Sequence, residues 1–434
     1  MPNPRHTLIR CLGLCDGRLS VAGSHDRPAA LLVEHTDSRL RILAVGAAEQ
    51  VERHPAAVAA QTRDLLDSVL MPGMVNAHTH LDLTVIGPLP HEPADGFVSW
   101  VNRIRAGRPT EAAAIEASVR QGVEFSRAGG VVAVGDICGA VNGSASTMAA
   151  EALRDAGMAG VSFIEFFAIG PTERERADAA VALICEHHAS FGGRLRLGLQ
   201  PHATNTVSRW AFERAIEAAG AMRLPTMTHL AESPEERDFV ANAAGPQREL
   251  LEGLGLWTDA VAAEFGQGRS PIEQLERVLA GSGTVAVHVN QCSHADLERL
   301  AASDTPVVYC PRASAYFGAE AHFGPHRYRD MIAAGLTVAI GTDSIVNLPA
   351  GSSCLSPLDE IRFLHRRDAT DPMTLVTMAS LCGGRVLGLD ESSVCLAPDA
   401  CPLGVVAVPV GDAEVPNPAT AIVLSEGAPR IVLD

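Results

Sequence analysis

The chain lacks one amino acid altogether: none of its 434 residues is lysine, so all 34 basic residues are arginines. This absence excludes Schiff-base enzymes, P-loop NTPases and metal sites that are bridged by a modified lysine. No apolar run approaches the roughly 18–20 residues that a membrane span needs, so we expect no membrane partner. Residues 1–20 contain no sustained apolar segment, and we therefore expect no secretory signal.

The charge balance and the cysteines indicate which partners and which cellular location to expect. There are 51 acidic residues against 34 basic ones, and the net charge of −17 repels phosphate backbones, so nucleic acid is not an expected partner. The 47% of apolar residues is typical of a globular protein. The 10 cysteines show no framework spacing, which favours reduced thiols and a cytoplasmic location. Only Cys11 and Cys15 are close, and a bridge between them stays open.

The middle of the chain alternates short β-branched runs with amphipathic stretches, which is the pattern of βα units. The predicted strands are Met74–His80, Val131–Ile137, Val161–Ile169, Leu195–Gln200, Pro225–Leu230, Thr284–Val289, Pro306–Cys310 and Leu336–Ile340. The predicted helices between them include Glu111–Ala128, Thr172–His188, Ser208–Met222 and His326–Ala334. This order predicts an α/β fold, a (β/α)8 TIM barrel, with a doubly wound open sheet as the alternative.

Both ends of the chain have a different pattern, with short alternating runs separated by turn residues. The runs are Leu8–Leu14, Ala29–Val33, Leu40–Val45, Val405–Val410 and Ala421–Leu424. They predict a small β-sandwich domain built from both termini, residues 1–68 plus 391–434. The barrel domain is then expected to cover residues 69–390 and to carry the chemistry.

Residues suited to metal and acid–base chemistry stand where the predicted strands end. In a barrel the chemistry lies at the carboxyl ends of the strands. Strand one ends with His78 and His80, whose side chains point the same way because they alternate. The ends of strands four, five, six and eight carry His202, His229, His288 and Asp343. One such histidine is more often structural, but the coincidence at five strand ends favours a single site.

The run Pro72 to His80, together with His229, His288 and Asp343, resembles the amidohydrolase superfamily over residues 69–390. The strand-five motif His-x-x-Glu, His229 to Glu232, resembles the cytosine-deaminase-related branch, which uses a single metal. The absence of lysine agrees with a mononuclear site. The resemblance implies that one divalent ion per chain, Zn²⁺ or alternatively Fe²⁺, is bound by His78, His80, His229 and Asp343.

The resemblance and the chemistry of the residue types also imply catalytic roles. A bound metal lowers the pKa of its water towards about 7, which produces hydroxide at neutral pH. Glu232 stands just before the capping-box start Ser233-Pro234-Glu235-Glu236 and is expected to carry a proton from the water to a departing amine. His288 is expected to hold or polarise the attacking hydroxide, Asp343 to share the proton transfer, and His202 to contact substrate.

A finer resemblance is to the aminodeoxyfutalosine deaminases, enzymes of menaquinone biosynthesis. It rests on Asn76 to Leu83, Ser270-Pro271, Cys310-Pro311-Arg312 with Tyr316-Phe317-Gly318, and Gly341 to Ser344. The sequence departs from its relatives in two places. After His202-Ala203 it has Thr204-Asn205 where Pro-Tyr is usual, and it has Ala313-Ser314-Ala315 where a Ser-Asn or Ser-His pair is common. Both departures lie near the expected substrate side.

The resemblance implies a metal-dependent hydrolytic deaminase of an amino-substituted heterocycle, an adenine-type nucleoside such as aminodeoxyfutalosine above all. The benzoate of such a substrate could pair with Arg312, although a structural salt bridge is as plausible. Trp100 could stack on the purine or belong to the local core. The alternatives are a guanine, adenosine or S-adenosylhomocysteine deaminase, a cyclic amidase, a triazine chlorohydrolase, and a metal-free binding protein. The family also suggests a homodimer.

Overall fold

The computed structural model describes residues 5–36, 39–411 and 414–434. The chain packs as two units. The terminal unit comprises Met1–Ala77, Glu124–Ala133 and Cys354–Asp434, and the central unit comprises His78–Val123 and Val134–Ser353. Within the described ranges, none of the helices combines the length and the apolar character that crossing a bilayer requires.

The strands and helices follow one another along both units. The strands are β1 His6–Cys15, β2 Ser20–Ala22, β3 Ala29–His35, β4 Leu40–Ala47, β5 Gln61–Pro72, β6 Met74–Thr79, β7 Val131–Cys138, β8 Ala159–Phe166, β9 Leu195–Pro201, β10 Met227–Leu230, β11 Val285–His288, β12 Val307–Tyr309, β13 Val338–Ile340, β14 Val405–Pro409 and β15 Arg430–Leu433. The helices are α1 Ala48–Val51, α2 Phe97–Gly107, α3 Ala112–Ala128, α4 Met148–Asp155, α5 Glu173–His187, α6 Arg209–Met222, α7 Pro234–Asn242, α8 Pro246–Gly253, α9 Asp259–Glu264, α10 Pro271–Leu279, α11 His294–Ala302, α12 Pro311–Tyr316, α13 Ala319–Phe323, α14 Tyr328–Ala333, α15 Pro357–Asp368, α16 Pro372–Ala379, α17 Leu381–Val386 and α18 Pro418–Leu424.

Strands β6 to β13 form two four-stranded sheets in chain order, β6-β7-β8-β9 and β10-β11-β12-β13. The pairs β8–β9, β10–β11, β11–β12 and β12–β13 are parallel. Parallel bridges between Leu199 and Thr226 and between Thr79 and Asp343 connect the outer strands of the two sheets. This ring of parallel strands fits the predicted (β/α)8 barrel and not the open doubly wound sheet, and each predicted barrel strand overlaps an observed one.

The barrel strands are buried along their whole length except at the partly buried Arg196 of β9, which explains their largely apolar sequences. Every residue of β8 and of β11 is buried, as expected for parallel strands covered on both faces. Side chains fill the interior of such a barrel. A Cβ atom on Gly198 would lie 2.5 Å from the ring of Phe163, so only glycine leaves room for this buried ring. Close packing therefore fixes the strands that carry the site.

The terminal unit contains a seven-stranded sheet drawn from both ends of the chain. Its order is β15-β14-β5-β1-β3-β4, with β2 paired to β1. The β1–β5 pair is parallel, whereas β1–β3, β3–β4 and β14–β5 are antiparallel. A composite β structure of both termini is thus present. The β-sandwich is not confirmed, because these seven strands form one sheet.

In the terminal unit, one predicted strand is a helix, and the question of a bridge between Cys11 and Cys15 is answered. The run Ala421–Leu424, predicted as a strand, belongs to helix α18. Asn417 caps this helix by accepting a hydrogen bond of 3.1 Å from Thr420 N, and Pro418 starts it; a short apolar run alone does not distinguish strand from helix. Cys11 and Cys15 are both buried free thiols, so the bridge between them is absent from this structure.

Candidate metal centre and active site

Three histidine side chains converge where strands β6 and β10 end. His78 lies on β6 and His80 directly follows it, so both side chains project to the same side. The ring centroid of His78 lies 5.0 Å from that of His80 and 5.1 Å from that of His229. One ring nitrogen from each histidine lies within 4.8 Å of the other two. This spacing allows the three buried side chains to bind one ion.

Asp343 adds a carboxylate to these histidines. It follows β13, pairs with Thr79 in a parallel bridge and has a left-handed backbone with φ of 56°. Its Oδ1 atom lies 3.8 Å from Nε2 of His78 and 3.5 Å from Nε2 of His80. Its Oδ2 atom accepts a hydrogen bond of 2.6 Å from Asn347 Nδ2. The structure therefore brings together the four residues for which metal ligation is predicted.

The donor set of this cluster fits a bound divalent cation. Burial, followed by the neighbouring histidines, holds the pKa of His78 and of His80 well below the usual value. Burial also lowers the pKa of His229 to about 3. The imidazoles are therefore neutral, as metal binding requires, and the buried Nε2 atom of His78 has no hydrogen-bond partner in the described ranges. Three imidazoles and one carboxylate suit Zn²⁺ or Fe²⁺.

Glu232 and His288 lie beside Asp343. Oε1 of Glu232 is 3.4 Å from Nε2 of His288, and one ligand atom from each of the three residues lies within 4.8 Å of the others. Burial, aided by the charge of Asp343, raises the pKa of Glu232 well above its usual value. Burial and the nearby histidines keep His288 neutral by lowering its pKa. A carboxyl that can hold a proton beside a neutral imidazole is suited to general acid–base chemistry.

His202 is packed against the same cluster from the end of β9. Its ring centroid lies 4.9 Å from that of His229 and 4.6 Å from that of Phe167. Its Nδ1 atom forms a hydrogen bond of 2.7 Å with Thr206 Oγ1, while its Nε2 atom lies 3.9 Å from Oε1 of Glu165. Burial lowers the pKa of His202 to about 3, so its ring is neutral. The structure thus places His202 beside the candidate metal centre.

The two remaining predicted substrate residues lie on helices that follow barrel strands. Trp100 of α2 packs against Phe317 and Phe97, with ring centroids 5.0 and 5.4 Å away. This aromatic cluster agrees with a role in local packing. Arg312 lies in the first turn of α12, directly after β12, and is partly buried. Contacts of Trp100 and Arg312 with substrate stay predictions.

A buried charged network that was not predicted from the sequence joins Asp82, which follows β6, Arg108, which follows α2, and Glu165 of β8. Arg108 donates from Nε to Oδ2 of Asp82 at 3.0 Å, and its Nη1 atom lies 3.6 Å from Oε2 of Glu165. Asp82 and Glu165 are 4% and 2% exposed, so the guanidinium is their main counter-charge. Because Glu165 also faces His202, this network extends to the candidate site. Glu165, near the end of β8, was the feature of the sequence from which this network could have been predicted.

Asp136, on β7, is a buried carboxyl beside this network. Its oxygens accept hydrogen bonds of 3.1 Å from Leu81 N and of 3.1 Å from Ser162 Oγ. Burial, followed by the charge of Asp82, raises the pKa of Asp136 to about 7. The carboxyl is therefore protonated below this pH, and ionisation costs folding free energy above it.

This pKa predicts a pH-dependent effect of the substitution Asp136→Asn. The folded protein holds a proton on Asp136 that the unfolded chain, with a pKa near 4, releases, so stability falls as pH rises from about 4 to 7. Asparagine removes this loss, because its oxygen can accept from Leu81 N and its amide can donate to Ser162 Oγ. We expect the variant to gain stability relative to the wild type as pH rises, at about 1.4 kcal/mol for each pKa unit. Urea unfolding midpoints at pH 5 and pH 8 would check this, and an equal difference at both pH values would contradict it.

The fold and the site together define the class of protein. It is a barrel of parallel strands whose ends carry three histidines and an aspartate, which form a candidate metal centre. The Amidohydrolase family matches residues 69–398, and the chain belongs to this family. This confirms the resemblance that the strand-end motifs indicate.

Several individual proteins are similar to this chain in sequence or in structure. The aminodeoxyfutalosine deaminase of Deinococcus radiodurans is 28% identical over 335 residues, 74% of this chain and 74% of the relative. The 5-methylthioadenosine/S-adenosylhomocysteine deaminase of Haloarcula marismortui is 26% identical, over 76% of this chain and 71% of the relative. The structure of Helicobacter pylori aminofutalosine deaminase in complex with methylthio-coformycin has a TM-score of 0.75, with 19% identity and 98% of each chain covered. That structural likeness supports the fold.

Proposed function

We propose that this chain is a metal-dependent hydrolytic deaminase of an adenine-type nucleoside such as aminodeoxyfutalosine. It would replace the exocyclic amino group by the oxygen of one water molecule and release ammonia. The observation that carries the proposal is the convergence of three neutral histidines and Asp343 beside the protonatable carboxyl of Glu232. The relatives named as deaminases of adenosine-type nucleosides support the same reaction.

The proposed ligands are His78, His80, His229 and Asp343, and zinc is the proposed ion. A divalent ion bound there supplies a Lewis acid that makes water a stronger acid. The chain contributes the orientation of the donors: Asn347 holds one oxygen of Asp343 by a hydrogen bond of 2.6 Å, which leaves the other oxygen facing His78 and His80. Fixed outer contacts of this kind orient the ligands of a metal site.

Glu232 is the proposed proton carrier. Deamination requires that a proton leaves the attacking water and that the departing nitrogen gains one. The pKa of Glu232, raised by burial, allows its carboxyl to hold this proton between the two events. His288, with Nε2 at 3.4 Å from Glu232 Oε1, is proposed to orient the water, and the nearby Asp343 is proposed to share the proton transfer.

The substrate side of the proposal rests on His202, Arg312 and Trp100. The neutral ring of His202 can donate or accept a hydrogen bond to the heterocycle. Arg312 is proposed to pair with the carboxylate of a benzoate-bearing nucleoside, and Trp100 to stack on the purine. With aminodeoxyfutalosine as substrate, the reaction would belong to menaquinone biosynthesis. A cytoplasmic location, a homodimer and the domain division at residues 69 and 390 complete the proposal.

The test combines metal analysis with an ammonia-release assay of the full chain. The substrates are adenosine, aminodeoxyfutalosine, S-adenosylhomocysteine, guanine and cytosine. We expect about one zinc or iron ion per chain and ammonia from a nucleoside, with ammonia release by Glu232→Gln strongly reduced. Bound metal without ammonia from any of these substrates would favour the cyclic amidase or triazine chlorohydrolase. Absence of metal would overturn the mechanism.

A further inference from the structure

Two buried hydroxyls, those of Thr204 and Ser314, are linked to Glu232 through one other residue each. Thr204 and Ser314 are 1% and 6% exposed. The hydroxyl of Thr204 donates to Oε1 of Glu236, and the hydroxyl of Ser314 donates to Oδ1 of Asn290. Glu236 and Asn290 in turn each bind the backbone of Glu232. The two hydroxyls are therefore linked to the proposed proton carrier.

Glu236 holds the backbone on the amino side of Glu232. As the third residue of α7, it would complete a capping box by binding the backbone N–H of Ser233. Its carboxylate is instead turned to the preceding loop, where Oε2 accepts a hydrogen bond of 2.7 Å from Glu232 N and Oε1 accepts one of 3.1 Å from Ala231 N. With the Thr204 hydroxyl, three donors face this buried carboxylate, and each of them requires an acceptor.

The backbone that Glu236 holds is strained. Ala231 has a φ of 54°, a left-handed conformation that costs free energy in a residue other than glycine. Such conformations persist only where the surroundings impose them, and they cluster at functional sites. Ala231 lies between His229 and Glu232, so its conformation determines how the carboxyl of Glu232 is directed relative to the candidate metal centre.

Asn290 holds the carbonyl side of Glu232. Its Nδ2 atom donates a hydrogen bond of 3.0 Å to Glu232 O, while its Oδ1 atom accepts from Ser314. Asn290 follows His288 and Val289, whose φ values of 73° and 51° are also left-handed. The same short loop therefore places the imidazole of His288 and binds the carbonyl of Glu232.

We infer that Thr204–Glu236 and Ser314–Asn290 form a backbone clamp that positions Glu232 for proton transfer. The inference rests on the proposed function, because it assigns the clamp to the proton carrier of that reaction. The clamp fixes both polar groups that flank the Cα atom of Glu232 and leaves its side chain free to exchange a proton. Thr204 and Ser314 are positioning residues that act through Glu236 and Asn290, and neither contacts the substrate in this role.

Thr204→Val and Thr204→Ser test the clamp as a matched pair. Valine keeps the shape and removes the hydroxyl, so we expect kcat to fall about 10- to 100-fold, the range that a displacement of up to 1 Å can cause, with KM and metal content unchanged. Serine keeps the hydroxyl and should restore most of kcat. Thr258→Val is the control, because Thr258 caps α9 in the same unit by accepting a hydrogen bond of 3.3 Å from Val261 N. It should lose stability without losing kcat.

Hydrogen exchange supplies a measurement that does not need activity. In Thr204→Val, the backbone N–H groups of Ala231 and Glu232 should exchange faster, whereas Thr258→Val should leave them unchanged. Glu236→Gln should give the same result, since its amide group places a donor where a backbone N–H needs an acceptor. If this variant fails to fold, the Thr204 pair still decides.

The outcomes separate the clamp from the proposed function. A wild-type chain that releases no ammonia from any substrate overturns the proposed function, while hydrogen exchange still tests whether Thr204 and Glu236 hold the backbone. An active wild type with equal kcat for Thr204→Val and Thr204→Ser overturns the clamp alone. A raised KM with unchanged kcat in Thr204→Val also overturns it, because that result would place Thr204 in contact with substrate.

Discussion

Replacement of Glu232 by glutamine is expected to lower kcat by about 10²- to 10⁴-fold, the usual contribution of a general acid–base group. Glutamine keeps the size and one acceptor oxygen of the side chain but cannot take up a proton. The backbone contacts from Glu236 and Asn290 do not involve the substituted side chain, so the loop should keep its conformation. KM should change little, because the lost interaction acts in the transition state.

Metal content separates this result from loss of the metal centre. Glu232 is not among the proposed ligands, so metal analysis should give the same value for variant and wild type. Glu235→Gln is the matched control: Glu235 lies three residues further along the chain, in the first turn of α7. Its Oε1 atom accepts a hydrogen bond of 2.8 Å from Phe97 N, which a glutamine oxygen can do equally well. A Glu232→Gln variant with near wild-type kcat would remove Glu232 from the mechanism.

The barrel and the metal-binding cluster could be predicted because their signals are local. Each barrel strand is a short β-branched run, and His78, His80, His229 and Asp343 each lie at the end of such a run or within three residues of it. Once the strands form a barrel, the topology brings these ends together. No knowledge of side-chain packing was needed to expect the cluster.

The parts that the sequence analysis missed depend on contacts between distant segments. A capping box at Ser233 and Glu236 can be expected from their spacing, but the carboxylate of Glu236 binds other donors because Thr204, from the end of β9, lies against it. The helix α18 was missed because Ala421–Leu424 is too short to show a period. Arg108 carries no local signal, since its partner Asp82 lies 26 residues away along the chain.

Among the proposed variants, Arg108→Met should cause the largest decrease in the free energy of unfolding. Methionine keeps much of the length of the side chain but removes the guanidinium that contacts Asp82 and Glu165. Two buried carboxylates would then lack their counter-charge, and removal of one partner of a buried ion pair typically costs about 3–5 kcal/mol. Arg108→Lys should recover only part of this loss, since a single ammonium cannot match the fork that reaches both carboxylates.

The loss caused by Arg108→Met should depend on pH. Burial already raises the pKa of Asp82, and the charge of Arg108 opposes this rise. Without the arginine, the carboxyl of Asp82 can escape the unfavourable charge only by binding a proton, so the variant should be destabilised more at pH 8 than at pH 5. Urea unfolding of both proteins at the two pH values measures this difference. A constant difference would show that packing, and not charge, causes the loss.

Two further variants test the contacts of Arg108 by changing residues that lie beside its guanidinium. Asp82→Asn in the Arg108→Met background removes one uncompensated charge and should restore part of the stability.

Gly139→Ala tests the space that the guanidinium occupies, because a Cβ atom there would lie 1.9 Å from an Arg108 nitrogen and 2.6 Å from Asp82 Oδ2. This substitution should displace the guanidinium and lower stability without changing any charge. Stability unchanged by both Arg108→Met and Gly139→Ala would show that solvent already screens these carboxylates, and the network would then make no contribution to folding.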